Sequence, residues 1–197
     1  FDVRTTWILK GARGRWPSHF PFFFPPTLSK APSMLTLEID IESPWPETQD
    51  WEALSEKAAQ AIGTVAPELA HERLIVSLLF TSDEEVHALN KEWREKDKPT
   101  NVLSFPMLER EDLLDLDEDG PPEMLGDIAM AFETCAREAQ EKGVTLEDHA
   151  THLLIHGLLH LAGLDHEISE ADAVHMEALE IKALAHLGIA DPYGDRV

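Results

Sequence analysis

Residues 152–166 read HLLIHGLLHLAGLDH, placing four of the chain's ten histidines within fifteen positions. The pattern predicts a helix over 145–162 that ends near Gly163, where the absence of a Cβ permits the left-handed turn that reverses a chain. His156 and His160 are four residues apart, one turn and about 6 Å along the axis, so both imidazoles can reach one ion. His152 and His149 share that face, but His152 lies two turns, about 12 Å, from His160 and cannot share an ion with it. A turn at Gly163 brings His166 back from outside the helix, and the ligand set becomes His156, His160 and His166. Three neutral imidazoles leave an ion its full charge and one open coordination position, the arrangement of a catalytic zinc site. His149 and His152 read as packing residues, and His71, His87, His175 and His186 as surface residues.

The spacing H-x-x-x-H-x-x-G-x-x-H matches that of metzincin proteases, but Gly157 stands where their glutamate, the general base, would be. Without that base, peptide hydrolysis is disfavoured and the ion should serve other chemistry.

Outward from this stretch the elements alternate between strand and helix. Met34 opens an alternating strand at 35–42, an amphipathic helix follows near 47–66, and LIVSLLF (74–80) is a buried strand. Ser82 caps a helix ending at Arg94. NVLSFPM (101–107) and MLGDIAMAF (124–132) are two further strands, expected to be antiparallel neighbours, and helices follow at 133–142, 145–162 and 170–187. Gly143 and Gly188 stand at C-caps, and Thr145 with Asp148 and Ser169 with Asp172 read as capping boxes. The expected fold is α+β, one domain with about four strands in a mixed sheet, about five helices, and the metal site on a central helix and its following turn. The loop LEREDLLDLDEDGPPEM (108–124) carries eight acidic side chains. Its DLDEDG resembles the start of a calcium loop, but the twelfth position is Gly126 rather than a bidentate Glu, so it reads as a solvated loop.

The chain has 197 residues, 43% of them hydrophobic, and one cysteine, Cys135, which excludes a disulfide framework and reads as packing in a reducing, cytoplasmic setting. Residues 1–33 hold five Lys/Arg against one acid and read as a leader outside the core, whereas residues 34–197 form the domain. The domain keeps 11 Lys/Arg against 37 Asp/Glu, which disfavours indiscriminate nucleic-acid binding. Lys91, Arg94, Lys96 and Lys98 form its one dense basic cluster, with Arg73 placed to join it in space.

The wording HGLLHLAGLDH resembles the H-G-x-L-H-L-x-G-x-D-H signature of the YbeY family of bacterial endoribonucleases. LNKEWREKDKPTNVLSFP (89–106) resembles the family's second motif and LGDIAM (125–130) its third, so the resemblance runs from about Met34 to Gly188. Asn101 departs from it, because the family often has Asp there. The resemblance implies a zinc-dependent endoribonuclease that favours single-stranded RNA over DNA and works in ribosomal RNA maturation and ribosome quality control. It implies His156, His160 and His166 as metal ligands, with His156 and Arg94 counted as catalytic. It also implies partners among small-subunit ribosomal proteins and assembly GTPases, and no membrane. A guanidinium keeps its charge and can grip two phosphate oxygens, which suits Arg94 to phosphoryl transfer. Asp165 is a candidate to orient a ligand imidazole, and Asp127 a candidate for the site wall. Two other readings stay open, a non-catalytic metal-binding ribosome-assembly factor and a metzincin-like metallopeptidase. Removing residues 1–33 should leave melting temperature and activity unchanged, and a large drop in melting temperature would overturn the leader reading.

Overall fold

The computed structural model describes residues 35–166 and 169–194, so the leader expectation lies outside the described residues. Four strands, β1 (Thr36–Ile41), β2 (Leu74–Thr81), β3 (Val102–Pro106) and β4 (Glu123–Ala131), form one sheet in the order β1-β2-β4-β3. β1, β2 and β4 are parallel and β3 runs antiparallel to β4, with Ser104 opposite Ile128 and Phe105 opposite Asp127. The sheet is therefore mixed, and the expected pairing of the last two strands holds.

Alternation along the strands divides the apolar residues between two faces. Leu74, Val76, Leu78 and Phe80 of β2, with Val102, Ile128 and Met130, join the large core. Helices α1 (Trp51–Val65), α5 (Leu146–Leu161) and α6 (Glu170–His186) cover it. Leu79, Leu103, Ala129 and Ala131 form a smaller core under α2 (Asp83–Arg94) on the opposite face. α1 begins four residues later than the apolar pattern suggests, because the Asp50 side chain accepts from Ala53 N at 2.9 Å and fixes the first turn there. The acidic loop contains a short helix, α3 (Arg110–Leu114), which its composition did not reveal.

α4 (Phe132–Lys142) follows β4 without a linker, and its N-terminus is capped from a distance. Thr134 N and Oγ1 donate to the two oxygens of Asp83 at 2.9 and 2.7 Å, while Asp83 N donates to Glu133 at 2.8 Å. The first turns of α2 and α4 thus cap each other across the chain.

α5 is the central element, with His149 to Leu161 all buried. It lies close on the sheet at Gly157, where an added Cβ would lie 3.1 Å from both Ile128 Cδ1 and Ser104 Oγ, the facing residues of β4 and β3. The glycine suits this approach: a Cβ would crowd both neighbours, and a longer side chain would have to enter the sheet. Gly157→Glu should cost more than about 3 kcal/mol in urea unfolding, combining overpacking with a buried charge. A loss under about 1 kcal/mol would mean that the helix can stand off the sheet.

Candidate metal centre

The last turn of α5 and the residues after it assemble the site. Gly163 takes φ 78°, Gly163 N donates to His160 O at 2.9 Å and Leu164 N to Leu159 O at 3.1 Å, the paired bonds of a Schellman turn. Arg110, from the acidic loop, donates through Nη1 to Ala162 O at 2.6 Å and pairs with Glu68 at 3.2 Å, satisfying a carbonyl at the helix end. The turn returns the chain so that His166 faces the helix. Its ring stacks at 5.3 Å from His156 and sits at 5.0 Å from His160.

One nitrogen from each of His156, His160 and His166 lies within 4.8 Å of the other two. A tetrahedral zinc ion bonded at about 2.0–2.1 Å holds its nitrogens roughly 3.3 Å apart, so a small closing motion of His166 suffices. The protons on the rings test the fit further. His156 Nδ1 donates to Glu180 Oε1 at 2.7 Å, and His160 Nδ1 donates to the Leu164 carbonyl at 2.9 Å. In the neutral rings both Nε2 atoms then carry lone pairs, and they face each other at 3.1 Å. Two lone pairs at that distance repel unless a cation lies between them, so the donor set fits a metal ion.

Burial governs the protonation of the site's innermost ring. Burial, reinforced by His156 and His166, holds the His160 imidazole well below its ordinary value. Burial also lowers His152, although Glu180 pulls it back up. At Glu180 burial pushes the carboxyl up, but the neighbouring His156 ring and the hydrogen bonds from His152 and His156 outweigh it and hold the carboxyl well below the usual carboxylate range.

The remaining histidines of α5 are satisfied core residues, in keeping with the packing expectation. His149 Nε2 donates to Glu138 Oε2 at 2.8 Å, and His152 Nε2 donates to Glu180 Oε2 at 2.8 Å. Glu138 and Glu180 are the residues that sequence reasoning missed. For Glu180 a signal existed, because it lies in the buried stripe Met176, Leu179, Ala183 and Leu184 of α6, where an acid demands a partner. Asn101 also gains a physical account. Its Nδ2 donates to Glu138 Oε2 at 2.9 Å while its Oδ1 accepts from Val102 N at 2.8 Å. An aspartate there would set a second carboxylate against Glu138. Cys135 is buried, bonded to Asn101 O, and its thiol is pushed well up by burial and by Glu138, which agrees with packing and not nucleophilic work.

Arg94 closes α2 on the face of the sheet opposite α5, the face that also carries Phe105 and, opposite it in the ladder, Asp127. The expected basic cluster is thinned. Arg73 does not join it, because its guanidinium is wrapped by the acidic loop, donating to Pro121 O at 2.8 Å and Asp117 O at 2.7 Å and pairing with Glu123 at 3.3 Å. Lys91 pairs with Asp97 at 2.9 Å, which also takes His87 at 2.8 Å.

Fold and site together define a class: an α+β protein whose central helix and following turn present three convergent imidazoles. The sequence model for "Endoribonuclease YbeY" matches residues 40–188. The chain is 67% identical to the endoribonuclease YbeY of Erythrobacter litoralis over 162 residues, covering 82% of this chain and 99% of that protein. It is 62% identical to that of Novosphingobium aromaticivorans, covering 80% and 95%. The solution structure of TM1509 from Thermotoga maritima shares the fold at TM-score 0.50 and 23% identity, covering 82% and 91%. The chain belongs to the YbeY endoribonuclease family.

The lowered His152 and His160 give the metal-free protein a predicted pH response. An imidazole held below its ordinary value, about 6.5, takes up a proton in the unfolded chain before it does so in the fold. Stability from these two groups is present above that pH and is lost as pH falls through it. Melting temperature of chelator-treated protein should therefore drop between about pH 7.5 and 5.5, and a flat or rising profile would contradict the assignment of neutral rings.

Proposed function

We propose that this chain is a zinc-dependent endoribonuclease of single-stranded RNA, with His156, His160 and His166 as metal ligands and Arg94 as the phosphate-directed cation. The observation that carries the metal assignment is the pair of lone-pair nitrogens of His156 and His160 facing each other at 3.1 Å, with both Nδ1 protons committed to acceptors. Membership of the family supplies the reaction class.

When bound, the ion would supply Lewis-acid polarisation of a phosphoryl oxygen or lower the pKa of a bound water. The chain's own residues set the terms. Three neutral imidazoles donate lone pairs without cancelling the ion's charge. Glu180 and the Leu164 carbonyl hold the Nδ1 protons of two of them and so fix which nitrogen faces inward. Gly157 points at the sheet and leaves no general base at the position where a metzincin protease has its glutamate. Arg94 would stabilise the charge that develops on the phosphoryl oxygens. Either water or the RNA's own 2′-hydroxyl could attack, and the end groups of the product distinguish them.

In this reading the substrate is ribosomal RNA undergoing maturation and quality control. The macromolecular partners are a small-subunit protein and an assembly GTPase, in the cytoplasm. No helix among the described residues is long and apolar enough to cross a membrane.

The test is metal content and cleavage of fluorescent single-stranded RNA by the purified chain, with chelator and with zinc restored. Cleavage should stop with chelator and return with zinc. Arg94→Ala should keep its zinc and lose cleavage by a factor on the order of a hundred, the scale for removal of one preorganised donor. His160→Ala and His166→Ala should lose zinc, whereas His152→Ala should retain stoichiometric zinc. Normal cleavage by Arg94→Ala would remove that residue from the reaction. A zinc-loaded parent that cleaves no single-stranded RNA would favour the non-catalytic assembly factor.

A further inference from the structure

α6 brings to α5 one carboxylate whose two oxygens do different work. Glu180 Oε1 accepts from His156 Nδ1 at 2.7 Å, and Glu180 Oε2 accepts from His152 Nε2 at 2.8 Å. The side chain of Glu180 is about as buried as those of the two histidines, at 1% exposure against 2% and 3%. A third partner comes from the segment after α6. The Tyr193 hydroxyl donates to Glu180 Oε2, its ring meets that of His152 edge-on at 5.6 Å, and its backbone N–H donates to Asp191 Oδ1 at 2.8 Å, which tightens the turn that presents it.

A buried carboxylate of this kind needs explaining, because ionised groups are costly away from water and replacing them with apolar side chains of similar size is often neutral or stabilising. Packing α6 on α5 does not require a charge. His152 is one turn before His156 on the same helix, so two of the three bonds to the carboxylate come from groups that do not reach the ion. What they do is hold the carboxylate: with Oε2 fixed by His152 and Tyr193, Oε1 has one direction left, toward His156 Nδ1. That bond fixes His156 as the tautomer with its lone pair on Nε2, the nitrogen that faces His160 at 3.1 Å.

We propose that Glu180 is a positioning residue for the metal centre, aiming His156 and strengthening it as a donor, and that Tyr193 and His152 pin Glu180 so that the C-terminal segment sets metal affinity. This rests on the assignment of His156 as a ligand. It makes the region past α6 part of the site although none of its residues touches the ion. Glu180→Gln keeps the shape and one acceptor oxygen but removes the charge, and its amide would present donors toward the donors of Tyr193 and His152. Tyr193→Phe removes only the hydroxyl.

The experiment is zinc affinity of the full chain, by competition with a chromophoric chelator at fixed pH, together with visible absorption of the cobalt-substituted protein and melting of the metal-free protein. Glu180→Gln should bind zinc roughly ten- to a hundred-fold more weakly, with a shifted cobalt spectrum, the scale expected when the partner of a ligand histidine is lost. Tyr193→Phe should weaken zinc by roughly two- to five-fold while leaving metal-free melting nearly unchanged, as befits one hydrogen bond acting through another group. If Glu180→Gln does not fold, Glu180→Asp, which withdraws the carboxylate by one methylene, takes its place with the same expected loss. A structural role alone would lower metal-free melting and leave zinc affinity and cobalt spectrum at the parent's values. That outcome in both Glu180 variants overturns the proposal while the metal assignment stands. Parent-level affinity in Tyr193→Phe overturns the part played by the C-terminal segment. A parent that binds no zinc overturns the metal assignment and this proposal with it.

Discussion

The constraint on which the rest depends is that four imidazoles sit on a helix with no solvent-facing side. His149, His152, His156 and His160 are all buried, and each carries one nitrogen that must donate and another that must accept or be masked. An unsatisfied buried polar group costs about 1–3 kcal/mol, so four of them would consume most of the 5–15 kcal/mol that a domain has. The fold answers with one acceptor for each: Glu138 for His149, Glu180 for both His152 and His156, and the Leu164 carbonyl for His160. α4 and α6 are therefore tied to α5 by polar chemistry as well as by apolar packing. The turn at Gly163 also serves two purposes, bringing His166 back and delivering the carbonyl that orients His160. With their Nδ1 protons so committed, His156 and His160 turn their Nε2 atoms toward each other at 3.1 Å.

The packing of α5 on the sheet also gives the glycine after His156 its place. A helix presenting His156 and His160 to one side turns position 157 toward the sheet, and here the sheet is close enough that a single methyl would touch Ile128 and Ser104. In this packing a glutamate at 157 would point into β3 and β4 rather than at a substrate. The one-letter departure from the protease spacing thus accords with how closely α5 lies on the strands.

What the sequence disclosed was local. Helix ends were legible because Ser82, Thr145 and Ser169 cap within three residues, and Gly143 and Gly163 take the left-handed turn that only a residue without a Cβ adopts cheaply. The candidate ligands were legible because 3.6 residues per turn fixes which histidines can meet. The acids that complete the site were not, since Glu180 is 24 residues from His156 and Glu138 is 11 from His149, and no spacing rule reaches across helices. The fates of the basic residues were hidden for the same reason. Arg73 looked available for RNA, but 44 residues on, the acidic loop offers it carbonyls, and a guanidinium with five donors takes them. The short helix α3 was concealed inside that loop by its charge, although Arg110 at its start anchors the loop to the end of α5.

These commitments bear on how so acidic a chain would meet a polyanion. With a formal charge of −22 the surface as a whole repels RNA, and Arg73, Lys91 and His87 are each engaged with acids or carbonyls of the chain itself. Attraction must then be local. A divalent ion held by three neutral imidazoles would keep its whole charge, and Glu180, bonded to the His156 ring on its Nδ1 side, spends both oxygens on bonds within the protein. Placing the acid behind the ligand, instead of on the ion, strengthens the imidazole as a donor without reducing the positive charge presented to a phosphate. Glu180 in the ion's own coordination shell would cancel half of that charge, and an acidic protein of this composition has little other positive charge with which to replace it.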